Sequence, residues 1–289
     1  MQPGVPIAEV AKQLGVPMPT LRSWELRYGI PEISRTPGKH RRYSASELHA
    51  LTLMRDEIAR GKRAGVAAQS VRAILGLSGP AADYISRFLR ASGSLDAHAI
   101  RTHLDAAHRA LGLGACIDDV LLPAMQQIGE WWQTGRCDIE QERLSTEVTR
   151  AWLDSLTVSA PPPTHDAPIV LACGPTDLHT MGLEALGLML RNRHWACRQL
   201  GARTSVEALR TAVVASGAAG VVIVSHLSTG RHRSVQSMQA VDELGITLFY
   251  AGNAFGAPRS RAKLPGHYLG VRLQDACELI DDTLSTKPA

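Results

Sequence analysis

Apolar positions recur along this chain with two different periods, and the change between them divides it. In the first stretch, Ile7 to Leu14 reads as a short helix ended by Gly15. Pro19 opens a second helix that runs to about Tyr28, with Gly29 as its stop. Leu21, Trp24 and Tyr28 fall on one buried face of that helix, which leaves Arg22, Ser23 and Arg27 outside. The pattern is helix, tight turn, helix, an arrangement that lets a second helix lie in a major groove. "SASE" at Ser44 to Glu47 is a capping box that starts the next helix, a short one reaching Arg60. A helical period then runs through Tyr84 to Ala91, Ala97 to Leu111, Ile117 to Trp132 and Ile139 to Leu156, broken at Gly93, Gly112 to Gly114 and Gly135. These four segments predict a small helical bundle. Beyond it the period changes. "IVLACG" (169–174), "AGVVIVSHL" (219–227) and "ITLFYAG" (246–252) are β-branched apolar runs bounded by glycine, suited to strands buried on both faces. Helical stretches separate them, at Leu183 to Arg193, Val206 to Ser216 and Val235 to Leu244. Such alternation predicts a Rossmann-like, doubly wound parallel sheet.

Glycine and proline mark the joints. "LSGP" at Leu77 to Pro80 interrupts one helical pattern, and "SAPPPTHDAP" at Ser159 to Pro168 reads as a stiff, extended, proline-rich linker. The expected organisation is therefore multidomain α and α/β: a helix-turn-helix unit over 1–76, a four-helix bundle over 81–158, a linker over 159–167 and a sheet domain over 168–289. A length of 289 residues accommodates several cores, and 45% apolar with 20% charged residues marks a globular protein. No apolar run reaches the roughly 20 residues that cross a bilayer, and Met1 to Val16 lacks the layout of a secretory signal, so a cytoplasmic location without a membrane partner is expected. The five cysteines (Cys116, Cys137, Cys173, Cys197, Cys277) are scattered and form no C-x-x-C pair, which argues against a disulfide framework or a zinc knuckle.

Charge separates the first quarter from the rest. Residues 1–75 hold 12 Lys or Arg against 6 Asp or Glu, and the remainder holds 19 against 21, so one region is built to meet a polyanion. Its most basic part is "RTPGKHRRYS", directly after the second helix. A solvated turn is the ordinary fate of such a run. Together with "TLRSWELRYG", however, it resembles the wing and recognition helix of the MerR family of transcription regulators, although Lys39 follows Gly38 where that family commonly has a second glycine. The resemblance implies a winged helix-turn-helix bound to a double-stranded DNA operator. Arg22 and Arg27 would then face the groove, and Arg35, Lys39, His40, Arg41, Arg42 and Tyr43 would hold the phosphate backbone.

A second constellation lies just past the first strand of the sheet: "DLHTMG", Asp177 to Gly182. Doubly wound sheets bind ligands at this position, and Asp177 is near enough in sequence to take the Nδ1 proton of His179, presenting Nε2 to a metal. With no histidine or cysteine cluster to complete a zinc site, that metal must bring most of its own ligands. D-x-H-x-x-G, followed by Ser225-His226-Leu227 and a glycine turn at Gly252-Asn253, is similar to the cobalamin-binding fold of methionine synthase and the cobalamin-dependent mutases. The resemblance implies His179 as the lower axial ligand of cobalt, with Asp177, Gly182, Ser225, Leu227, Gly252 and Asn253 around the cofactor and its nucleotide tail; Asn253 stands where the family often has a second glycine.

The bundle contributes "EWWQTGRCDIEQERLS". Paired tryptophans usually pack a core. Here they precede a cobalamin-type domain, and the spacing of Trp132 and Glu142 matches that of the light-sensing CarH and LitR regulators. By that resemblance Trp132 shields and Glu142 contacts the upper group of adenosylcobalamin or another cobalamin form. The next residue in those regulators is a histidine that binds cobalt after light; here it is Arg143, which stays protonated and cannot ligate. Arg143 is open to three readings: a salt bridge on the bundle, the mark of a cobalamin sensor that does not use light, or a grip on the carboxylates of a second group such as a linear tetrapyrrole (bilin). The implied function is a transcription regulator, not an enzyme, whose assembly into a dimer or tetramer is controlled by cobalamin. The competing classes are a corrinoid methyltransferase or mutase component, for which the first 75 residues have no use, and a tetrapyrrole storage protein.

Overall fold

The computed structural model describes residues 5–31, 42–76, 81–135 and 137–285. The chain forms two compact units, Met1–Ala82 and Asp83–Ala289. Among the described residues no helix is long and apolar enough to cross a membrane.

In the first unit, strand β1 (Val5–Pro6) leads into helices α1 (Ile7–Leu14) and α2 (Met18–Tyr28); β2 (Arg42–Tyr43), α3 (Ala45–Ala59) and α4 (Ala64–Gly76) follow. Gly15 adopts φ 63°, the left-handed conformation that closes α1 without a Cβ clash, and its amide reaches back to the carbonyls of Ala11 and Lys12. Pro19 sits in the first turn of α2, where its missing N–H costs nothing. Val10, Leu14, Leu21, Trp24, Leu51, Met54 and Val71 make one core that holds the helices together. Ser44 and Glu47 form the expected capping box at the start of α3, with the Ser44 amide 2.6 Å from the Glu47 carboxylate. β2 pairs antiparallel with β1, Val5 opposite Tyr43.

Tyr43 requires a correction. The expectation that it meets DNA fails because only 2% of its surface is exposed and its hydroxyl donates to the buried carboxylate of Glu25 on α2. An aromatic ring in an apolar core needs a partner for its polar end, and Glu25 supplies it. Tyr43 thus fastens β2 to the second helix.

The second unit opens with helices α5 (Ala82–Gly93), α6 (Ala97–Leu111), α7 (Leu113–Cys116), α8 (Leu122–Gln133) and α9 (Ile139–Val158). α7 and α8 are joined by a π-helical turn, Ile117–Leu121, so they run as one interrupted rod. Phe88, Ile100, Leu104, Leu121, Ile128 and Trp152 fill the interior of the bundle. Its buried polar groups are matched: Trp152 Nε1 donates to Asp105 at 2.8 Å, and the hydroxyls of Ser92 and Ser145 lie 2.7 Å apart.

There follow β3 (Ile169–Cys173), α10 (Met181–Arg191), β4 (Cys197–Gly201), α11 (Val206–Ser216), β5 (Gly220–Val224), α12 (Arg231–Asp242), β6 (Thr247–Ala251), α13 (Pro258–Arg261), β7 (His267–Tyr268) and α14 (Leu273–Ser285). The strands make one parallel sheet of order β4-β3-β5-β6-β7. Two strands were not foreseen: β4 is an exposed, polar edge ("CRQLG") and β7 has two residues, so neither carries an apolar run. α12 starts four residues before the expected Val235, its first turn hidden by polar residues. The proline-rich segment lies along the sheet domain. Thr164 donates its amide to the His194 carbonyl at 3.0 Å, and the His165 ring stacks on Trp195 with centroids 3.6 Å apart.

Bundle and sheet meet through polar contacts of specific geometry. Asp118, on the π-turn, accepts the amides of Leu273 and Gln274 at 2.8 and 3.0 Å and so caps α14 from another element. Beside it Arg272 pairs with Asp119 at 2.8 Å. On the other side Arg150 of α9 pairs with Glu184 of α10 at 3.3 Å. Replacing Asp118 by alanine removes the cap and should lower the stability of this unit by about 1–2 kcal/mol in urea unfolding. An unchanged midpoint would show that water serves those amides equally well.

Candidate functional site

In a sheet of this order the connections leaving β3 and β5 diverge to opposite faces, and a crevice opens at the carboxyl ends of these adjacent strands. The Asp177–His179 loop follows β3, and Ser225–Leu227 follows β5. Asp177 joins them. Its side chain is 2% exposed; Oδ1 accepts the His179 amide at 2.9 Å and His179 Nδ1 at 2.8 Å, while Oδ2 accepts the His226 amide. The Asp177 carbonyl also accepts the Arg203 amide at 2.9 Å, which fixes the loop to the turn after β4. Burial opposes the charge of this carboxylate, but the bonds from the His179 ring and from the His226 and His179 amides outweigh it and hold Asp177 down at about 2.

The hydrogen bond that the His179 ring donates to Asp177 raises the pKa of His179, with burial opposing. In the neutral ring, the ionised carboxylate keeps the proton on Nδ1 and leaves the Nε2 lone pair for an electrophile. The His179 side chain is 57% exposed, so the ring is presented outward from a buried anchor. The His226 ring lies beside it, centroids 5.4 Å apart. Burial pushes the pKa of His226 down, Asp177 pulls it up, and His179 adds to the lowering. Sequence reasoning missed His226, which showed only as the variable residue of the S-x-L run.

Ser225 and Gly252 stand together at the next strand ends. Gly252 has φ 103°, and a Cβ on it would lie 2.2 Å from the Ser225 carbonyl oxygen, so only glycine lets the two segments approach. Ser225 is buried, and its Oγ has no hydrogen-bond partner among the described residues. A buried hydroxyl without a partner is costly in a folded protein and marks a position a ligand acceptor or donor can complete. Leu227 and Asn253 are exposed nearby in the chain. Gly182 lies in the first turn of α10, where a Cβ would meet nothing within 4 Å; the protein's own packing does not demand glycine there. Among the described residues no three His, Cys, Asp or Glu side chains gather to hold a metal ion. A metal at His179 must therefore carry its own equatorial ligands, and these residues suit a corrinoid: one outward imidazole, a buried hydroxyl in want of a partner, and a glycine-tight slot.

Trp132, at the end of α8, is 49% exposed, and Glu142, in the first turn of α9, accepts a hydrogen bond from Thr146 at 3.0 Å. Arg143 is exposed and has neither ion pair nor hydrogen bond among the described residues, so the salt-bridge reading of it is not what the structure holds. No hydrogen bond, ion pair or ring contact among the described residues joins Trp132, Glu142 or Arg143 to the Asp177–His179 pair. They belong to the bundle and are linked to the loop through the packing of α9 on α10, with Glu142 roughly 12 Å of helix rise from Arg150.

In the first unit, Arg22 and Arg27 are exposed on α2, opposite the buried Leu21, Trp24 and Glu25, and Arg42 is exposed in β2. Arg35, Lys39, His40 and Arg41 lie outside the described residues.

Residues 6–43 match the MerR family regulatory protein model, and residues 84–157 match the B12 binding domain model. The chain is 30% identical over 214 residues to the HTH-type transcriptional repressor CarA of Myxococcus xanthus, a span of 72% of each protein. It is 33% identical over 221 residues to the HTH-type transcriptional repressor CarH of the same organism, 71% of this chain and 73% of that one. The monomethylamine corrinoid protein of Methanosarcina barkeri shares the fold with a TM-score of 0.58 at 12% identity, over 70% of this chain and 99% of the other.

Proposed function

The chain belongs to the family of HTH-type transcriptional repressors that includes CarA and CarH, and from that premise we propose a DNA-binding regulator whose hold on an operator is set by bound cobalamin. The observation that carries this reading is the buried Asp177 fixing the outward imidazole of His179 beside Ser225 and Gly252. Cobalamin would supply a cobalt ion that brings most of its own ligands and takes an imidazole from the protein. His179 offers Nε2 as that ligand while Asp177 retains the Nδ1 proton and raises the basicity of the ring. Ser225 gives its unsatisfied hydroxyl to the nucleotide tail, Gly252 keeps the slot open, and Leu227 and Asn253 border it. Trp132 and Glu142 cover the opposite face.

Arg22 and Arg27 enter the DNA groove, and Arg35, Lys39, His40, Arg41 and Arg42 hold phosphates, which position the protein without reading bases. Pairing of protomers into a dimer or tetramer sets how many such heads act together, and linked heads gain affinity through effective concentration. The repressor relatives and the DNA-binding unit set aside the methyltransferase, mutase and storage readings. A light response of the CarH type is the finer reading. The exposed, unpaired Arg143 favours a variation on it: a cationic group beside the upper face takes a carboxylate-bearing group, such as a linear tetrapyrrole, in place of the photoproduct a histidine would form.

His179→Ala should weaken cobalamin uptake and shift the visible spectrum of the loaded protein; an identical spectrum refutes the axial role. Ser225→Ala should leave the ligand-free protein as stable or more stable by up to about 1 kcal/mol, while lowering cobalamin affinity. A drop in ligand-free stability would mean that the hydroxyl already has a partner. Illumination of the loaded chain should change its size on gel filtration, whereas constant size supports a sensor that does not use light.

A further inference from the structure

Resting on the regulator reading, we propose that the sheet domain carries a second phosphate-binding surface, formed by the start of α12 and the α13 segment, that engages the DNA backbone. Residues 225–241 and 252–268 contain Arg231, Arg233, Arg259, Arg261 and Lys263 and no Asp or Glu, in a chain whose sequence after residue 75 is otherwise acidic. The fold brings the two segments together. Arg231 donates through Nε, at 3.2 Å, and through Nη2 to the Ser260 carbonyl, and the turns Ser228–Gly230 and Asn253–Phe255 pack on one another. Arg261 lies over the Tyr268 ring at 4.2 Å, which holds that part of the rim in place.

Arg233, Arg259 and Lys263 are exposed, and among the described residues none of their three side chains has an ion pair or hydrogen bond. The nearest acids in sequence, Asp242 and Glu243, lie at the far end of α12, about 14 Å away by helix rise, and Glu243 is already paired with Arg210 at 3.1 Å. Folding does not account for this arrangement. The positive end of the helix dipole disfavours cations in a first turn, yet Arg231 and Arg233 occupy that turn of α12 and no acid stands in it. An anionic partner turns both features to use, because unpaired guanidinium forks and a positive local potential suit phosphate oxygens.

DNA is the partner that the chain itself brings near. Once the helix-turn-helix unit is bound, its covalent link to the sheet domain keeps DNA at high effective concentration, so a surface too weak to bind DNA alone still contributes.

The test uses the full chain loaded with cobalamin and a duplex selected by that chain from a random pool. Binding is measured across a series of salt concentrations for the parent and for the triple variant Arg233→Glu, Arg259→Glu, Lys263→Glu, with the triple glutamine variant alongside. Losing three phosphate contacts at about 0.9 each should make the slope of log K against log salt shallower by about 2.7, with the cobalamin spectrum unchanged as the check that the body is folded. If the glutamate variant does not load, the glutamine variant gives the same reading. A slope equal to the parent's overturns the proposal. So does an affinity loss accompanied by a smaller assembly, which would make the rim a contact between copies. A parent that binds no DNA sinks the regulator reading as well.

Discussion

The body of this protein is organised around one buried carboxylate. Asp177 accepts from the ring and amide of His179 and from the amide of His226, and its own carbonyl receives the Arg203 amide. Four backbone or ring donors from three loops therefore converge on one residue. A charge out of contact with water is tolerable only when it is met this fully, and the same contacts make the loop rigid. Rigidity matters to the chemistry: an imidazole that must present one nitrogen to a metal has to be fixed in both tautomer and direction. Asp177 settles both.

The joint between bundle and sheet has a different character. Asp118 caps α14, Asp119 pairs with Arg272, and Arg150 meets Glu184, so polar contacts accompany the packing of α9 on α10. These contacts are directional. The π-turn adds to this, since a widened turn aims Asp118 and Asp119 toward α14 from the middle of a long rod.

The two units meet opposite demands. In the first, Tyr43 and Glu25 spend polar contacts on fixing α2 to β2, and Arg22, Arg27 and Arg42 are exposed on the surface. In the second, the side chains of Arg233, Arg259 and Lys263 have no such partner among the described residues. Family membership accounts for a DNA-binding head and a B12-binding body.

The sequence by itself determined the elements whose stability is local or whose burial is complete. Gly15, Pro19, Gly29 and the Ser44–Glu47 box mark helix ends through backbone chemistry, and β3, β5 and β6 declare themselves because strands covered on both faces must be apolar throughout. Asp177 and His179 were legible too, being two residues apart on one loop. Contacts between residues far apart in the chain were decided only by the tertiary structure. His226 comes beside His179 because β3 and β5 are neighbours in the sheet, Tyr43 turns inward because β2 pairs with β1, and Asp118 finds α14 across 155 positions. The edge strand β4 stayed hidden for the same reason: its hydrogen bonds come from a neighbour, and nothing in its own polar side chains records them.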